Sequence, residues 1–214
     1  FFVSLVDITG SLIYLGEFRI IYPLSLSFKI VALAPQIFVR DADGQSICYV
    51  KQKLFKLKEA VKVYGDESKS QILCEMNADR IIDWSATYRF SDADGEIFGS
   101  VRRKGTRSFW KAHYEIFDED EVQIASIQEE NPMSKVADGI LCEIPGGALL
   151  SGYFFHPRYL VSSNAGQPLL RLTKQRAMLE SKFSIEKLSD LDPVNELRLL
   201  MAILMASLLE RARG

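Results

Sequence analysis

The sequence predicts a mainly β protein in which a large antiparallel sheet closes around a single hydrophobic α-helix. Three observations carry this. The stretch Leu199 to Leu209, LLMAILMASLL, is apolar at every angle of a 3.6-residue period, so it has no face suited to water. Nearly everything ahead of it alternates short apolar runs with turn residues, the signature of strands. One hairpin pattern also returns four times along the chain, which points to repeated pairing within one sheet rather than to separate small units.

In chain order, residues 1–21 are hydrophobic but carry Asp7, Glu17 and Arg19, so they read neither as a clean membrane span nor as a secretory leader with a basic start. They are expected to form an N-terminal extension or an extra strand, with Ile8 to Leu12 as a turn between Phe2–Val6 and Leu12–Leu15. Residues 22–214 are expected to form one domain. The first hairpin runs Ile37–Arg40, Asp41-Ala42-Asp43-Gly44, Ile47–Val50, an apolar run, a turn that needs positive φ, and a second apolar run. Tyr88–Phe90, Ser91 to Gly95, Ile97-Phe98 repeats it closely, and Tyr159–Val161, Ser162 to Gly166, Leu169-Leu170 repeats it more loosely. Tyr114–Phe117, Asp118 to Glu121, Val122–Ile127 is a copy without the glycine. Further strands are expected at Phe55–Val63, Ile72–Met76, Ile81–Tyr88 (with Trp84) and Phe183–Glu186. At about 5–6 residues per strand there is room for roughly ten to twelve.

A sheet of that size should close. A helix with its side chains measures roughly 10–12 Å across, and cans of about eleven strands hold one. The helix starts at Asp192-Pro193, an acceptor side chain at the N-cap and a proline where a missing N–H costs nothing. Its apolar part falls far short of the roughly 20 residues that cross a bilayer, and Glu210, Arg211 and Arg213 close it with charge, so protein should surround it.

Composition narrows the function. The chain has 214 residues, 48% of them hydrophobic, enough for a sizeable core, and a net charge of −2, so no global field draws it to nucleic acid or to an anionic membrane. Cys48, Cys74 and Cys142 are too few and too scattered for a disulfide framework or a zinc site, and each reads as a small buried hydrophobe in a reducing cytoplasm. The two DADG turns resemble the opening of a calcium loop, but an EF-hand needs glycine at its sixth position and glutamate at its twelfth. They are turn chemistry, and Asp190 and Asp192 likewise read as turn and N-cap residues. No phosphate-cradling loop, nucleophile elbow or paired-cysteine motif occurs. His113 and His156 both read as structural, and no catalysis, cofactor or metal is expected.

The hairpins, the strand Phe183–Glu186, the run Leu188-Ser189-Asp190-Leu191-Asp192 and the hydrophobic helix together resemble the tubby C-terminal-like superfamily. The chain is most similar to its LURP-one-related branch and also to the phospholipid scramblases. The resemblance covers about Tyr22 to Arg213 and implies a closed antiparallel barrel of about twelve strands around a central C-terminal helix. Where scramblases carry the acids of a proposed calcium loop, this chain has Leu179, Glu180, Ser181 and Lys182, which argues against calcium.

Tubby-type domains hold phosphoinositide headgroups with basic residues on the barrel wall, so the resemblance directs attention to cation clusters. Lys56, Lys58 and Lys62 alternate with apolar residues in Phe55–Val63 and should share one outward face. Arg102, Arg103, Lys104 and Arg107 lie near Phe109 and Trp110, where arginines could pair with phosphate while the rings enter the interface. The expected function is therefore a non-enzymatic, monomeric, cytoplasmic barrel that binds anionic membrane lipid or phosphoinositide at these seven residues, peripheral to a membrane and without nucleic acid. The alternative is a regulatory or scaffold module whose barrel meets a protein partner. Scramblase-like lipid transfer comes a distant third, since the helix is needed inside.

Overall fold

Period-two alternation decides which side chains go inside. In the computed structural model, which describes residues 20–31, 34–51, 60–79, 86–104, 113–130, 158–175 and 181–211, Leu24, Leu26 and Phe28 are buried while Ser25 and Lys29 between and beyond them are exposed. Val61 and Val63 are buried on either side of exposed Lys62. The strands are β1 (Leu24–Val31), β2 (Ala34–Arg40), β3 (Ser46–Lys51), β4 (Val61–Tyr64), β5 (Ile72–Ala78) and β6 (Thr87–Ser91). They continue as β7 (Ile97–Arg103), β8 (His113–Phe117), β9 (Gln123–Glu129), β10 (Arg158–Ser163), β11 (Pro168–Gln175) and β12 (Ser181–Lys187), followed by α1 (Pro193–Arg211).

Each strand pairs antiparallel with its neighbours in sequence, and β12 returns to pair with β1, with Leu24 opposite Ile185 and Leu26 opposite Phe183. The result is a closed twelve-stranded barrel, so the sheet has no free edge. The helix fills it. From Leu199 to Met205 no residue is more than 1% exposed, which is why this segment could dispense with a polar face. Each large apolar side chain enclosed there contributes about 1.5–3 kcal/mol by leaving water. Among the described residues no helix is long and apolar enough to cross a membrane.

The turn grammar has one physical cause. The Asp41 carboxylate accepts the backbone N–H of Asp43 and Gln45, Asp92 accepts those of Asp94 and Glu96, and Asp118 accepts those of Asp120 and Val122, all at 2.8–3.1 Å. Gly44, Gly95 and Gly166 take φ near +80°, and in the copy without glycine Glu121 adopts φ +60° instead. The carboxylates in these positions are thus committed to their own backbone. At the helix start the Asp192 carboxylate accepts the Asn195 N–H at 2.9 Å, the capping role expected of it. Cys48 and Cys74 are buried and unbridged, the latter with its thiol 3.1 Å from the sulfur of Met201 on α1.

The expected hairpin in residues 1–21 lies almost wholly outside the described residues. So do most of Phe55–Val63, of which β4 is the described end, and the start of Ile81–Tyr88 with Trp84.

Candidate functional site at the basic mouth of the barrel

Because every strand is antiparallel to the next, connections alternate between the two ends of the barrel. The tight turns after β2, β4, β6, β8 and β10 and the run from β12 into α1 all fall at one end. The turns carry Asp41, Asp43, Asp66, Glu67, Asp92, Asp94, Glu96, Asp118, Glu119, Asp120, Glu121, Asp190 and Asp192 against Lys69, and the strand ends beside them add Arg40 and Lys187. Among the described residues, the strand ends at the opposite mouth carry Lys29, Lys51, Lys62, Arg102, Arg103, Lys104, Arg158, Lys174 and Lys182, against fewer acids, Asp79, Glu115, Glu129, Glu130 and Glu210. The charges of the described residues are thereby sorted along the barrel axis, with acids in excess at one end and cations at the other.

The helix is locked at the acidic end. Arg198, buried on α1, donates from Nε to the backbone oxygen of Phe98 at 2.6 Å, and its two terminal nitrogens donate to Asn195 and Glu119. Gly99 makes the room: a Cβ there would lie 2.9 Å from Arg198 Cγ and Nε and from the Phe117 carbonyl oxygen. Anchoring one end leaves the other as the place where the gap between helix and wall can open.

That gap exists. A cavity of about 200 Å³ lies between the last turns of α1 and strands β1 and β8 to β12, lined by Phe28, Tyr114, Ile127, Tyr159, Leu172, Phe183, Ile203 and Ala206, with Lys174, Ser207 and Glu210 as its polar members. Phe28 and Phe183 meet edge to face at 6.1 Å in its wall. The Glu210 carboxylate accepts the Tyr114 hydroxyl at 2.5 Å and lies 3.6 Å from Arg103 Nε, so its charge is engaged. Burial, together with the carboxylates of Glu129 and Glu210, pushes the Tyr159 hydroxyl up to about 12, keeping it a neutral donor. Lys174 continues the inward row Leu170, Leu172 to the rim, where it is exposed.

The cations named from the sequence are distributed unevenly. Arg102 and Lys104 both pair with Glu115, at 2.9 and 2.7 Å, and the Arg102 guanidinium stacks over Phe117. Lys62 pairs with Glu75 at 3.1 Å. Arg103 points into the barrel, its side chain 7% exposed, and so does not stand on the outer wall beside its neighbours. Lys56, Lys58 and Arg107 lie outside the described residues. By contrast, Lys174, Lys182 and Arg158 are exposed and, among the described residues, enter no ion pair. They stand on the consecutive strands β10, β11 and β12, with Gln175 opposite Lys182 and Arg158 opposite Thr173. Lys29 of β1 stands beyond them, its ammonium 4.9 Å from the Phe38 ring centre. The signal for Lys174 was present in the alternation Leu170, Leu172, Lys174, where a cation ending an inward apolar row marks a rim.

A second hollow, of about 570 Å³ and polar, lies on the outer wall, lined among others by Lys104, His113, Ser126, Gln128 and Ser162. Burial, helped by the charge of Lys104, holds the His113 imidazole below its ordinary value against the raising influence of Glu115.

Residues 46–141, from the first residue of β3 through β9 and beyond, match the LURP-one-related family, which belongs to the tubby-like superfamily. No curated protein matches the chain.

Proposed function

We propose that this chain, a LURP-one-related protein by its β3 to β9 match, is a non-enzymatic barrel that binds anionic phospholipid headgroups with the cations around its basic mouth. The observation that carries the reading is the axial separation of charge. Acids at one end and unpaired cations at the other orient the molecule toward an anionic surface even though its net charge would not attract it. Lys174, Lys182 and Arg158 lead this role because they need not give up an intramolecular partner, whereas Arg102, Lys104 and Lys62 would exchange Glu115 or Glu75 for phosphate. Lys56, Lys58 and Arg107, outside the described residues, remain candidates on the sequence alone. Such a protein acts in the cytoplasm and is peripheral to a membrane.

Each basic residue near an anionic surface is worth about 1 kcal/mol, so reversing Lys174 and Lys182 together to glutamate should weaken binding by roughly thirtyfold or more at low salt. Flotation with phosphatidylserine or phosphoinositide vesicles, compared with phosphatidylcholine alone, reads this directly. Retention should fall with the reversal and fade as salt rises; absence of anionic-lipid-dependent retention at low salt overturns the proposal.

A second reading draws on the other end. Ile97, Val122 and Leu188 are exposed large apolar side chains set among the acidic turns, a composition suited to a basic protein partner. If Val122→Asp abolishes capture of a partner while vesicle behaviour is unchanged, the scaffold role holds.

A further inference from the structure

We infer that the cavity at the basic mouth binds one single-chain anionic amphiphile, its acyl chain between α1 and the barrel wall and its carboxylate on Lys174. The inference goes beyond headgroup binding, because it concerns a cleft for a separate molecule rather than a surface for a bilayer.

The lining fixes the chemistry. Phe28, Ile127, Leu172, Phe183, Ile203 and Ala206 offer an apolar wall with little to hydrogen-bond, so water gains little by filling it. At about 200 Å³ the space exceeds the roughly 150 Å³ engineered cavity that stays dry and takes up benzene. It is too small for the two chains of a phospholipid, so the occupant has one chain of medium length. The head must be an anion. Lys174 is exposed at the opening without an ion pair, while the one carboxylate in the lining, Glu210, is already held by Tyr114 and lies beside Arg103. A cationic amphiphile would meet Lys174 without a free acid to offset it.

Decanoate, used below the concentration at which it self-associates, is the probe. Titration of the full chain should give saturable binding by calorimetry, and the methyl signals of Ile127, Leu172 and Ile203 should shift while those of Val63 on the far strands stay fixed. Ser207→Phe fills the cavity from its half-buried rim and should abolish the binding. Lys174→Gln, a surface change that leaves the fold intact, should weaken decanoate about fivefold, and wild-type protein should prefer decanoate to decanol by a similar factor, the value of one partly exposed ion pair. The inference is overturned if decanoate does not saturate, if it shifts methyls elsewhere, or if Lys174→Gln binds it undiminished. Vesicle flotation of Ser207→Phe separates the two proposals: retained flotation with lost decanoate binding supports both, whereas decanoate binding by a wild-type chain that does not float overturns only the headgroup reading.

Discussion

Replacing Gly99 with alanine tests whether the helix is anchored at the acidic end by Arg198. The new Cβ would lie 2.9 Å from the Phe117 carbonyl oxygen and equally close to Cγ and Nε of Arg198. Phe117 is held by the β7 and β8 ladder, so the flexible guanidinium side chain must give first. Its shift breaks the 2.6 Å bond from Nε to the Phe98 oxygen inside a buried site. Overpacking of this kind costs about 1–3 kcal/mol, and loss of a buried hydrogen bond to a charged donor about 1.5–3 kcal/mol. The two arise from one displacement and do not add fully, so a loss of about 2–4 kcal/mol is expected. For a chain of this size that lowers Tm by roughly 5–15 °C. Urea unfolding followed by circular dichroism measures it, with Arg198→Ala and the double variant completing a cycle. Removing the arginine side chain relieves two of the three close approaches, so the double variant should be less destabilised than the sum of the singles by at least about 1 kcal/mol. A Gly99→Ala protein within about 0.5 kcal/mol of the wild type, or a strictly additive cycle, refutes the anchoring.

Two further outcomes follow from the buried titratable groups. Burial pushes the Cys48 thiol up to about 12 and raises Cys74 as well, so neither should be alkylated by iodoacetamide in the native protein near pH 8, and both should react in urea; native labelling at either position, read by mass spectrometry, contradicts the enclosed packing. For Glu115, burial alone would raise the carboxyl, but the hydrogen bonds and charges of Lys104 and Arg102 outweigh it and hold the group below the ordinary range. A depressed carboxyl stabilises the fold above its unfolded pKa and loses that contribution as pH falls through the folded value. Glu115→Gln should therefore be less stable than the wild type at neutral pH, with the gap in urea midpoint narrowing as the solution is acidified; a gap independent of pH refutes the assignment.

How far the sequence disclosed this molecule depends on the range of each interaction. The enclosed helix was legible because an all-round apolar segment too short for a bilayer has few places to go, and its Asp192 cap is set by residues three apart. The turns were legible because the Asp41, Asp92 and Asp118 carboxylates bond only to backbone within four residues. The site was less so. Arg102 and Lys104 read as free cations because Glu115 is recruited by register across β7 and β8, an arrangement that no local pattern encodes. Arg103 illustrates a different limit: three consecutive bases look like a patch, yet on a strand after buried Val101 the first of them must face out and the middle one, Arg103, in.

The polarity of the barrel was in principle within reach of the sequence. In an up-and-down barrel every second connection lies at the same end, so the acidic hairpin turns, separated in each case by one other connection, had to collect together. Whatever cations the intervening strand ends carry must then face the opposite way. Net charge hides this because it sums over an axis along which the charges are sorted. The helix follows the same axis, with buried Arg198 fixed among the acids and Glu210 at the mouth beside Arg103 and Tyr114. One end therefore holds the helix, and at the other the cavity, the exposed lysines and the polar end of the helix coincide.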